Sequence, residues 1–393
     1  MKSKIAAILN LVEPDHNFES LTARRPVASL PFGCRYRLID FPFSSLSNAK
    51  VRSAGLFIPD SGHSLYDHVR SGYSWGLDNE AGGGVFTHSH IRIKADQTLE
   101  EGISAYYYKD HETYVRKSNT DYVVLMGSQI LMNMYIRSVL HVHQDKDSEM
   151  TVAYKKVPRN LFREDSIYDV YEFDNEDSVR VTGIKELQDI PYTDQKVAAG
   201  LDFLLLESEL FLYYLDRLKE KNLLVNMENI VRLGLEDGRR INGYEYTGYM
   251  RPIEDVKSYF DANMDLLDPE TFDSLFYRES PVLTKSKNSA PTYYGEFSQV
   301  SQSIFANDCE IYGIVENSLV FRKSSLYQDT TVKNSIIMQG AVIDEGAYLN
   351  YVILDKGVTV EKGARLEGTP DCPIVVPKRS RVLASGEIVE EDL

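Results

Sequence analysis

The chain has 393 residues, of which 43% are hydrophobic and 26% are charged, a balance typical of folded globular domains. This length predicts two domains, and the net charge of −16 excludes general nucleic-acid binding, which needs a basic surface. No apolar run reaches about 18 residues and no secretory leader is recognisable, so we expect no membrane span. The three scattered cysteines form neither a disulfide framework nor a zinc motif, and we expect a cytoplasmic protein with reduced thiols.

Short apolar runs alternate with amphipathic stretches in the first two-thirds of the chain. The apolar runs predict strands at residues 6–9, 55–58, 122–126 and 150–154. Helices are predicted over residues 130–140 and 208–221, the second with Ser208 as its N-cap. This alternation indicates an α/β, Rossmann-like domain with a mostly parallel sheet, in which ligands bind beyond the carboxyl ends of the strands.

The composition changes after about residue 260, and a polar linker is expected over residues 281–291. Beyond it, aliphatic residues and glycines recur six positions apart, at Ile337, Ile343 and Leu349, Val360 and Leu366, Gly340 and Gly346, and Gly357 and Gly363. One apolar residue in six predicts a left-handed parallel β-helix, whose triangular coils point one side chain inward from each face. We expect roughly four or five coils, with partial coils at residues 304–320.

These patterns divide the chain into three parts. Residues 1–260 are the predicted nucleotidyltransferase-like domain, residues 261–291 a helix and linker, and residues 292–393 the β-helix domain.

Three segments resemble one enzyme family. The segment PFGCRYRLIDFPFSSLSNA at residues 31–49 is similar to the FGGKYRLIDFPLSN stretch of the glucose-1-phosphate adenylyltransferases, and residues 61–69 and 262–267 resemble two further family motifs. Members of this family join a nucleotidyltransferase domain to a C-terminal left-handed β-helix. The resemblance therefore implies the architecture that the periodicity predicts.

The departures from the family pattern fall on its catalytic motifs. The family's glycine-rich phosphate loop should follow the first strand, yet the first glycine is Gly33 and the loop contains Glu13 and Asp15. The resemblance puts Asn17 at the place of the family's catalytic arginine, and Ser128 and Pro252 at the places of its two metal-binding aspartates. Mg²⁺ needs carboxylate oxygens beside the phosphates, which serine replaces poorly and proline not at all. We therefore expect a degenerate site at Asn17, Ser128 and Pro252, with no metal in this subunit.

The sugar-binding motifs are altered as well. The family's YRGTADAV appears as EEGISAY at residues 100–106, and no Glu-Lys-Pro run occurs at residues 184–191. Within the family this pattern resembles the GlgD-type branch, a non-catalytic paralogue of the catalytic subunit. The resemblance implies a regulatory subunit for glycogen synthesis that joins a catalytic partner in a hetero-oligomer, a tetramer by expectation, with Mg²⁺ only in that partner.

Basic residues follow the family-like Leu21-Thr22 pair and recur near the C-terminus. The resemblance implies that such residues bind a sugar-phosphate or inorganic-phosphate effector, whose oxygens suit guanidinium and ammonium groups. The candidates are Arg24, Arg25, Arg35, Arg37, Arg52, Lys378, Arg379 and Arg381. The alternative is that they form a solvated face or surface ion pairs in an acidic chain.

Two other functions remain to be separated from a regulatory subunit. The first is an active but divergent sugar-phosphate nucleotidyltransferase. The second is a hexapeptide-repeat acyltransferase, but these enzymes commonly use a histidine base on the β-helix, and all eight histidines here lie at or before His143.

Overall fold

The computed structural model describes residues 4–58, 62–78, 83–89, 103, 105–175, 178–278 and 280–390. They form two compact units. The first comprises Met1–Pro14, Ile39–Pro252 and Arg278–Leu283, and the second comprises Asp15–Leu38, Ile253–Tyr277 and Thr284–Leu393. Segments from the first 40 residues thus belong to the unit that contains the C-terminus. These two units do not coincide with the predicted domains. The domain boundaries therefore stay a prediction.

The first unit is built on a twisted sheet. Its strands are β1 (Ile5–Asn10), β2 (Ser53–Ile58), β3 (Gly84–Ser89), β4 (Tyr122–Met126), β5 (Ile130–Met132), β6 (Met150–Pro158), β7 (Asp169–Phe173), β8 (Val181–Glu186), β9 (Lys196–Glu207), β10 (Ile241–Glu245) and β11 (Met250–Pro252). The helices are α1 (Asp40–Asn48), α2 (His63–Val69), α3 (Ala105–Ser118), α4 (Ile136–Asp145), α5 (Ser208–Glu220) and α6 (Met227–Glu236). All four predicted strands are present.

The chain adds strands first on one side of β1 and then on the other, so the strand order reverses at β1. The order is β8-β7-β9-β4-β1-β2-β3, and β6 lies between β9 and β10. Strands β3, β2, β1 and β4 run parallel to one another, whereas β9 is antiparallel to both β4 and β6. The chain fills one side of β1 with β2 and β3 before it crosses to β4 on the other side.

Two details of the helix predictions are wrong. The predicted helix at residues 130–140 begins only at Ile136, because Ile130–Met132 pairs with Met250–Pro252 in a small antiparallel sheet. Buried Asn133 then keeps the chain out of the helix, since its backbone N–H and C=O both bond the Tyr246 hydroxyl, at 3.3 and 3.0 Å. Ser208 is the first residue of α5, and the N-cap is Glu207, whose side chain makes no capping bond.

Two family-like motifs meet in the core of the first unit. Asp40 begins α1, His68 lies near the end of α2, and the Nε2 of His68 is 2.5 Å from Oδ1 of Asp40, with both side chains buried. The Trp75 ring packs edge-on against Phe43 and donates its N–H to the Leu283 carbonyl at 3.1 Å. These residues of the family-like motifs therefore hold helices together.

The second unit contains the predicted left-handed parallel β-helix. Its three sheets each take one strand from every complete coil, and the first sheet ends in two further strands, Ser380–Val382 and Ile388–Glu390, which pair antiparallel. The first holds Tyr293–Tyr294, Glu310–Ile311, Ser325–Leu326, Val342–Ile343, Thr359–Val360, Ser380–Val382 and Ile388–Glu390. The second holds Gln299–Ser301, Ile314–Glu316, Thr331–Lys333, Tyr348–Asn350 and Arg365–Glu367, and the third holds Ile304–Phe305, Leu319–Val320, Ile336–Ile337, Val352–Leu354 and Ile374–Val376.

The six-residue period describes this core correctly. Ile337, Ile343, Leu349 and Val360 are fully buried and Leu366 is 6% exposed. The four glycines of the repeat have φ between 70° and 75° and turn the corners of the coils, a conformation that a Cβ would strain. The expected partial coils at residues 304–320 are wrong, because the strands there are in regular register with their neighbours.

Segments from outside the repeat complete the second unit. A hairpin pairs Pro31–Phe32 with Tyr36–Arg37. Helix α7 (Val256–Met264) begins with a capping box between Asp255 and Ser258, and α8 (Pro269–Phe276) begins with a capping Asp268. No helix among the described residues is long and apolar enough to cross a membrane.

Candidate functional site

The carboxyl ends of β1 and β4 meet at the point where the strand order reverses. Residues 11–14 leave β1 and residues 127–129 leave β4 at this edge of the sheet. In open α/β sheets, ligands bind at such switch points, because the loops on either side diverge and leave a crevice. The sequence places the degenerate residue Ser128 here.

A glutamate of the chain occupies this crevice. The carboxylate of Glu13 accepts hydrogen bonds from the backbone N–H and the hydroxyl of Ser128, at 2.5 and 2.6 Å, and from the N–H of Gln129 at 3.1 Å. The side-chain amide of Gln129 also donates to the Pro14 carbonyl at 2.8 Å. Both Glu13 and Pro14 therefore bond the loop that follows β4. Ser128, which is predicted to stand at the place of a metal-binding aspartate, therefore donates to a carboxylate of its own chain.

A second carboxyl group lies beside the first. Asp202 is in β9 with a φ of +50°, and its carboxyl group rests against Gly127. A Cβ on Gly127 would be 1.5 Å from Oδ2 of Asp202 and 3.1 Å from Oε1 of Glu13, so only glycine leaves room here. The close approach puts two acidic side chains around one loop.

Burial shifts the protonation of these acids. Desolvation raises the pKa of Glu13 to about 7, although its three hydrogen bonds oppose the shift. Desolvation and the charge of Glu13 raise the pKa of Asp202 to about 8. Because the two groups repel each other, they titrate as a pair, and near neutral pH the pair keeps part of its protons.

The acidic character continues along β7. Burial raises the pKa of Asp169 to about 7, and the charges of Glu228 and Glu186 add to the shift. Arg232 is the counter-charge, with Nη2 3.5 Å from Glu186 and 3.9 Å from Asp169 and Nε 3.0 Å from Glu228. One guanidinium thus faces three carboxyl groups, an environment that repels a phosphate.

The positions predicted to be degenerate lie in two different units. Pro252 is buried in the first unit and pairs with Ile130, just beyond the loop that holds Ser128. Asn17 is half-buried in a short 3-10 helix, His16–Leu21, of the second unit. Neither a proline ring nor a serine hydroxyl bonded to Glu13 offers the carboxylate oxygens that Mg²⁺ prefers, so these residues do not fit the family's metal. Within the described part of the chain, no three His, Cys, Asp or Glu residues are grouped to hold a metal ion.

The predicted loss of the sugar motif at residues 100–106 lies largely outside the described residues. Only Ile103 and part of α3 are placed there. The backbone N–H of Ile103 donates to Oδ1 of Asn222 at 2.7 Å.

Five of the eight predicted basic residues lie in the second unit around one buried ion pair: Arg24, Arg25, Arg37, Lys378 and Arg379. Arg25 is 6% exposed and Asp355 is 1% exposed, and their side chains form a close salt bridge. The Nε of Arg25 also donates to the Leu21 carbonyl at 2.6 Å. Arg25 therefore neutralises a buried carboxylate, while its neighbour Arg24 is exposed.

Further cations surround this pair. Burial and the charges of Arg37 and Arg25 lower the pKa of Lys356 to about 7. Burial and the charges of Arg379 and Arg25 also lower the pKa of Lys378. We call the following residues the basic cluster: Arg24, Arg25, Arg37, Lys287, Lys356, Lys378 and Arg379. The negative charge of Asp355 opposes the lowering of the pKa of Lys356 and of Lys378.

Three predicted effector residues are placed elsewhere. Arg52 is exposed in the first unit, directly before β2. Arg35 is exposed in the hairpin turn, and no interaction with another described residue places it in the basic cluster. Arg381 pairs with Glu361, with Nε 3.0 Å from Oε1 on the surface of the β-helix.

Asp202, Lys356, Lys287 and Asp355 are site residues that the sequence did not predict, and Glu13 was expected only as a charge that repels phosphate. Two of these residues, Asp202 and Asp355, have a feature that is visible in the sequence. Asp202 is a lone acid inside the apolar run of β9, and Asp355 directly follows three buried residues of a coil. Buried charges of this kind need a partner, but the sequence does not say which one.

Two family models and several known proteins are similar to this chain. Residues 17–269 match a family model described as nucleotidyl transferase, and residues 290–370 match one described as GlmU-like, C-terminal hexapeptide. The chain is 30% identical to the glycogen biosynthesis protein GlgD of Bacillus subtilis (strain 168). The aligned segment has 375 residues and covers 95% of each chain. It is 24% identical to the glucose-1-phosphate adenylyltransferase of Bacillus thuringiensis (strain Al Hakam), over 92% of this chain and 94% of that one. It is also 24% identical to the enzyme of the same name from Clostridium perfringens (strain 13 / Type A), over 99% and 97%.

Proposed function

The chain belongs to the nucleotidyl transferase family and to its glucose-1-phosphate adenylyltransferase group, and we propose that within this group it is a regulatory subunit without catalytic activity. It serves glycogen biosynthesis by pairing with a catalytic glucose-1-phosphate adenylyltransferase subunit, which makes ADP-glucose from ATP and glucose 1-phosphate. The pairing gives a hetero-oligomer, expected to be a tetramer, and Mg²⁺ acts only in the catalytic partner.

The observation that carries the proposal is the carboxylate of Glu13 at the switch point. A nucleotidyl transfer step needs positive charge and donors around the phosphates, since it depends on stabilising the charge of the leaving pyrophosphate. Here Glu13 uses the donors of Ser128 and Gln129, and Asp202 adds a second acid. The same crevice therefore supplies the wrong charge for the reaction.

The first coil of the β-helix supports the pairing. Its strands Tyr293–Tyr294, Gln299–Ser301 and Ile304–Phe305 each pair on one side only within the described residues. Tyr293, Phe297 and Val300 are exposed on this coil, Phe297 by 83%. Unpaired strand edges together with exposed aromatic side chains favour contact with another protein, and we assign this surface, the first-coil edge, to the catalytic subunit.

The basic cluster supports an effector role. A sugar phosphate or inorganic phosphate would bring oxygens to the exposed Arg24 and Arg379 and to Lys356, where the crowding of like charge is relieved by an anion. We propose this cluster as the effector site. Arg35, Arg52 and Arg381 stay predictions for the same role, without a contact that joins them to the cluster.

Activity of the chain alone separates this proposal from an active, divergent nucleotidyltransferase. Pyrophosphate release from ATP and glucose 1-phosphate with Mg²⁺ should be at least about 10³-fold slower for this chain than for the catalytic relative. Turnover comparable to that enzyme would overturn the proposal.

Co-expression with the catalytic subunit tests the pairing. The two chains should purify as one mixed oligomer, and its rate or effector response should differ from that of the catalytic subunit alone. Phe297→Glu should release the partner, while Tyr73→Glu serves as the matched control, since Tyr73 is an exposed aromatic of the first unit. Separate homo-oligomers with unchanged kinetics would refute the regulatory role.

Effector binding is tested on the mixed oligomer. Titration with inorganic phosphate and with a sugar phosphate should change the rate, and Arg379→Ala together with Lys356→Met in this chain should weaken that response about tenfold or more. An unchanged response would remove the effector site from the basic cluster.

A further inference from the structure

The loop after β4 has the geometry of an oxyanion site. Two successive backbone N–H groups, those of Ser128 and Gln129, and the Ser128 hydroxyl converge on one acceptor group. Successive N–H groups that point into one concavity bind anions, because their dipoles add and the backbone needs no reorganisation. The acceptor in this chain is the carboxylate of Glu13.

The position of this loop is that of a ligand site and not of an ordinary turn. It lies at the switch point between β1 and β4, where open α/β sheets bind ligands. The loop after β1 carries Glu13 into the crevice and is fixed at both ends. The N–H of Leu11 donates to the Phe57 carbonyl at 2.9 Å, and the Pro14 carbonyl accepts from the Gln129 side chain.

We propose that Glu13 is a built-in ligand, which fills a site for a phosphate or pyrophosphate oxyanion formed by the donors of Ser128 and Gln129. The chain thus retains an anion site at the switch point and blocks it from within. This inference rests on the geometry of the crevice and not on the regulatory role, so either one can fail without the other.

The experiment removes the carboxylate and asks whether the donors then bind an anion. Glu13→Ala, Glu13→Gln and the unchanged residue are compared by calorimetric titration with inorganic pyrophosphate. All three proteins carry Lys356→Met and Arg379→Ala, so that anions at the basic cluster do not contribute. Titration at about pH 6 keeps both Glu13 and Asp202 largely protonated, since burial raises their pKa values to about 7 and about 8. The comparison then tests whether the Glu13 side chain fills the site, and not whether its charge repels the anion.

Only Glu13→Ala should bind pyrophosphate, with an affinity at least about tenfold above that of the other two proteins. Glu13→Gln keeps an oxygen in the crevice and should remain blocked. In Glu13→Ala, pyrophosphate should also shift the amide NMR signals of Ser128 and Gln129, and adding Ser128→Ala should weaken binding.

A second variant keeps the test decisive if Asp202 repels the anion or if the first variant misfolds. Glu13→Ala with Asp202→Asn removes both buried acids, and its binding should persist at about pH 8, where the single variant loses affinity. Absence of binding in both variants would overturn the proposal. Equal binding by the protein that retains Glu13 would do so as well, because the carboxylate would then not be the occupant.

Discussion

The two units of this protein crowd charges of opposite sign. At the switch point of the first unit, Glu13, Asp202 and Asp169 are crowded together with raised pKa values. In the basic cluster of the second unit, crowding has the opposite sign, and it lowers the pKa values of Lys356 and Lys378. Each region keeps a minority of the other charge, Arg232 in the first and Asp355 in the second.

The difference shows how the charges around each region limit what it can bind. At the switch point, acids use the donors, and anion binding is opposed. In the basic cluster, several cations lie around a buried ion pair. The comparison predicts that rising pH charges the acids of the first region and neutralises lysines of the second.

The largest effect is expected from breaking the ion pair of the basic cluster. Arg25→Met leaves the buried carboxylate of Asp355 without its counter-charge, which should lower the free energy of unfolding by about 3–5 kcal/mol. Denaturant unfolding measures the loss, and exposed Arg24→Met should change it by less than about 0.5 kcal/mol. Equal losses would mean that the pair does not organise the cluster.

The acids of the switch point should make the fold less stable as pH rises. Groups whose pKa is raised on folding stabilise fully below their unfolded pKa, and this contribution is lost as pH rises through the folded values of about 7 for Glu13 and 8 for Asp202. Asp169, Glu186, Glu228 and Arg232 face the same region.

Glu13→Gln isolates this contribution from other titrating groups. Between about pH 6 and pH 9, the free energy of unfolding should fall by about 1–2 kcal/mol more in the wild type than in this variant, a value reduced for partial exposure. Parallel pH profiles would show that the acids are solvated instead of crowded.

The basic cluster should bind anions more tightly as pH falls. Because the pKa of Lys356 is lowered to about 7, its ammonium group is charged at pH 6 and largely neutral at pH 8.5. Sulfate, which does not titrate in this range, should therefore bind about tenfold more tightly at the lower pH. Lys356→Met should flatten the profile, whereas Lys362→Met, which removes a surface partner of Glu345, should leave it unchanged.

The smallest effect is expected at Arg381. Its pairing with Glu361 is solvent-accessible, so Arg381→Ala should change the free energy of unfolding by less than about 0.5 kcal/mol. Sulfate affinity should change by less than about twofold, measured by the same titration. A larger loss of affinity would extend the basic cluster along the β-helix.

The sequence alone was sufficient where a physical period or a specific motif exists. The six-residue spacing of Ile337, Ile343 and Leu349 predicted the β-helix, because each face of a coil buries one side chain per repeat. The apolar runs predicted the strands that form the switch point. The resemblance also puts Ser128 and Pro252 at the places of the family's metal ligands, and this assignment stays a prediction.

Contacts between distant residues were beyond the reach of the sequence. Residues 130–140 have helical spacing, yet strand pairing and the Tyr246 hydroxyl hold the first part out of the helix. Glu13 and Ser128 are 115 positions apart, and Arg25 and Asp355 are 330 apart.

Periodicity and the family motifs therefore determined the architecture of this protein, since strands and coils follow from residue types at fixed spacing. Only the tertiary structure decided which charges face each other. Burial sets the cost of every charge, and the partner that offsets the cost is chosen by the fold and not by proximity in the chain.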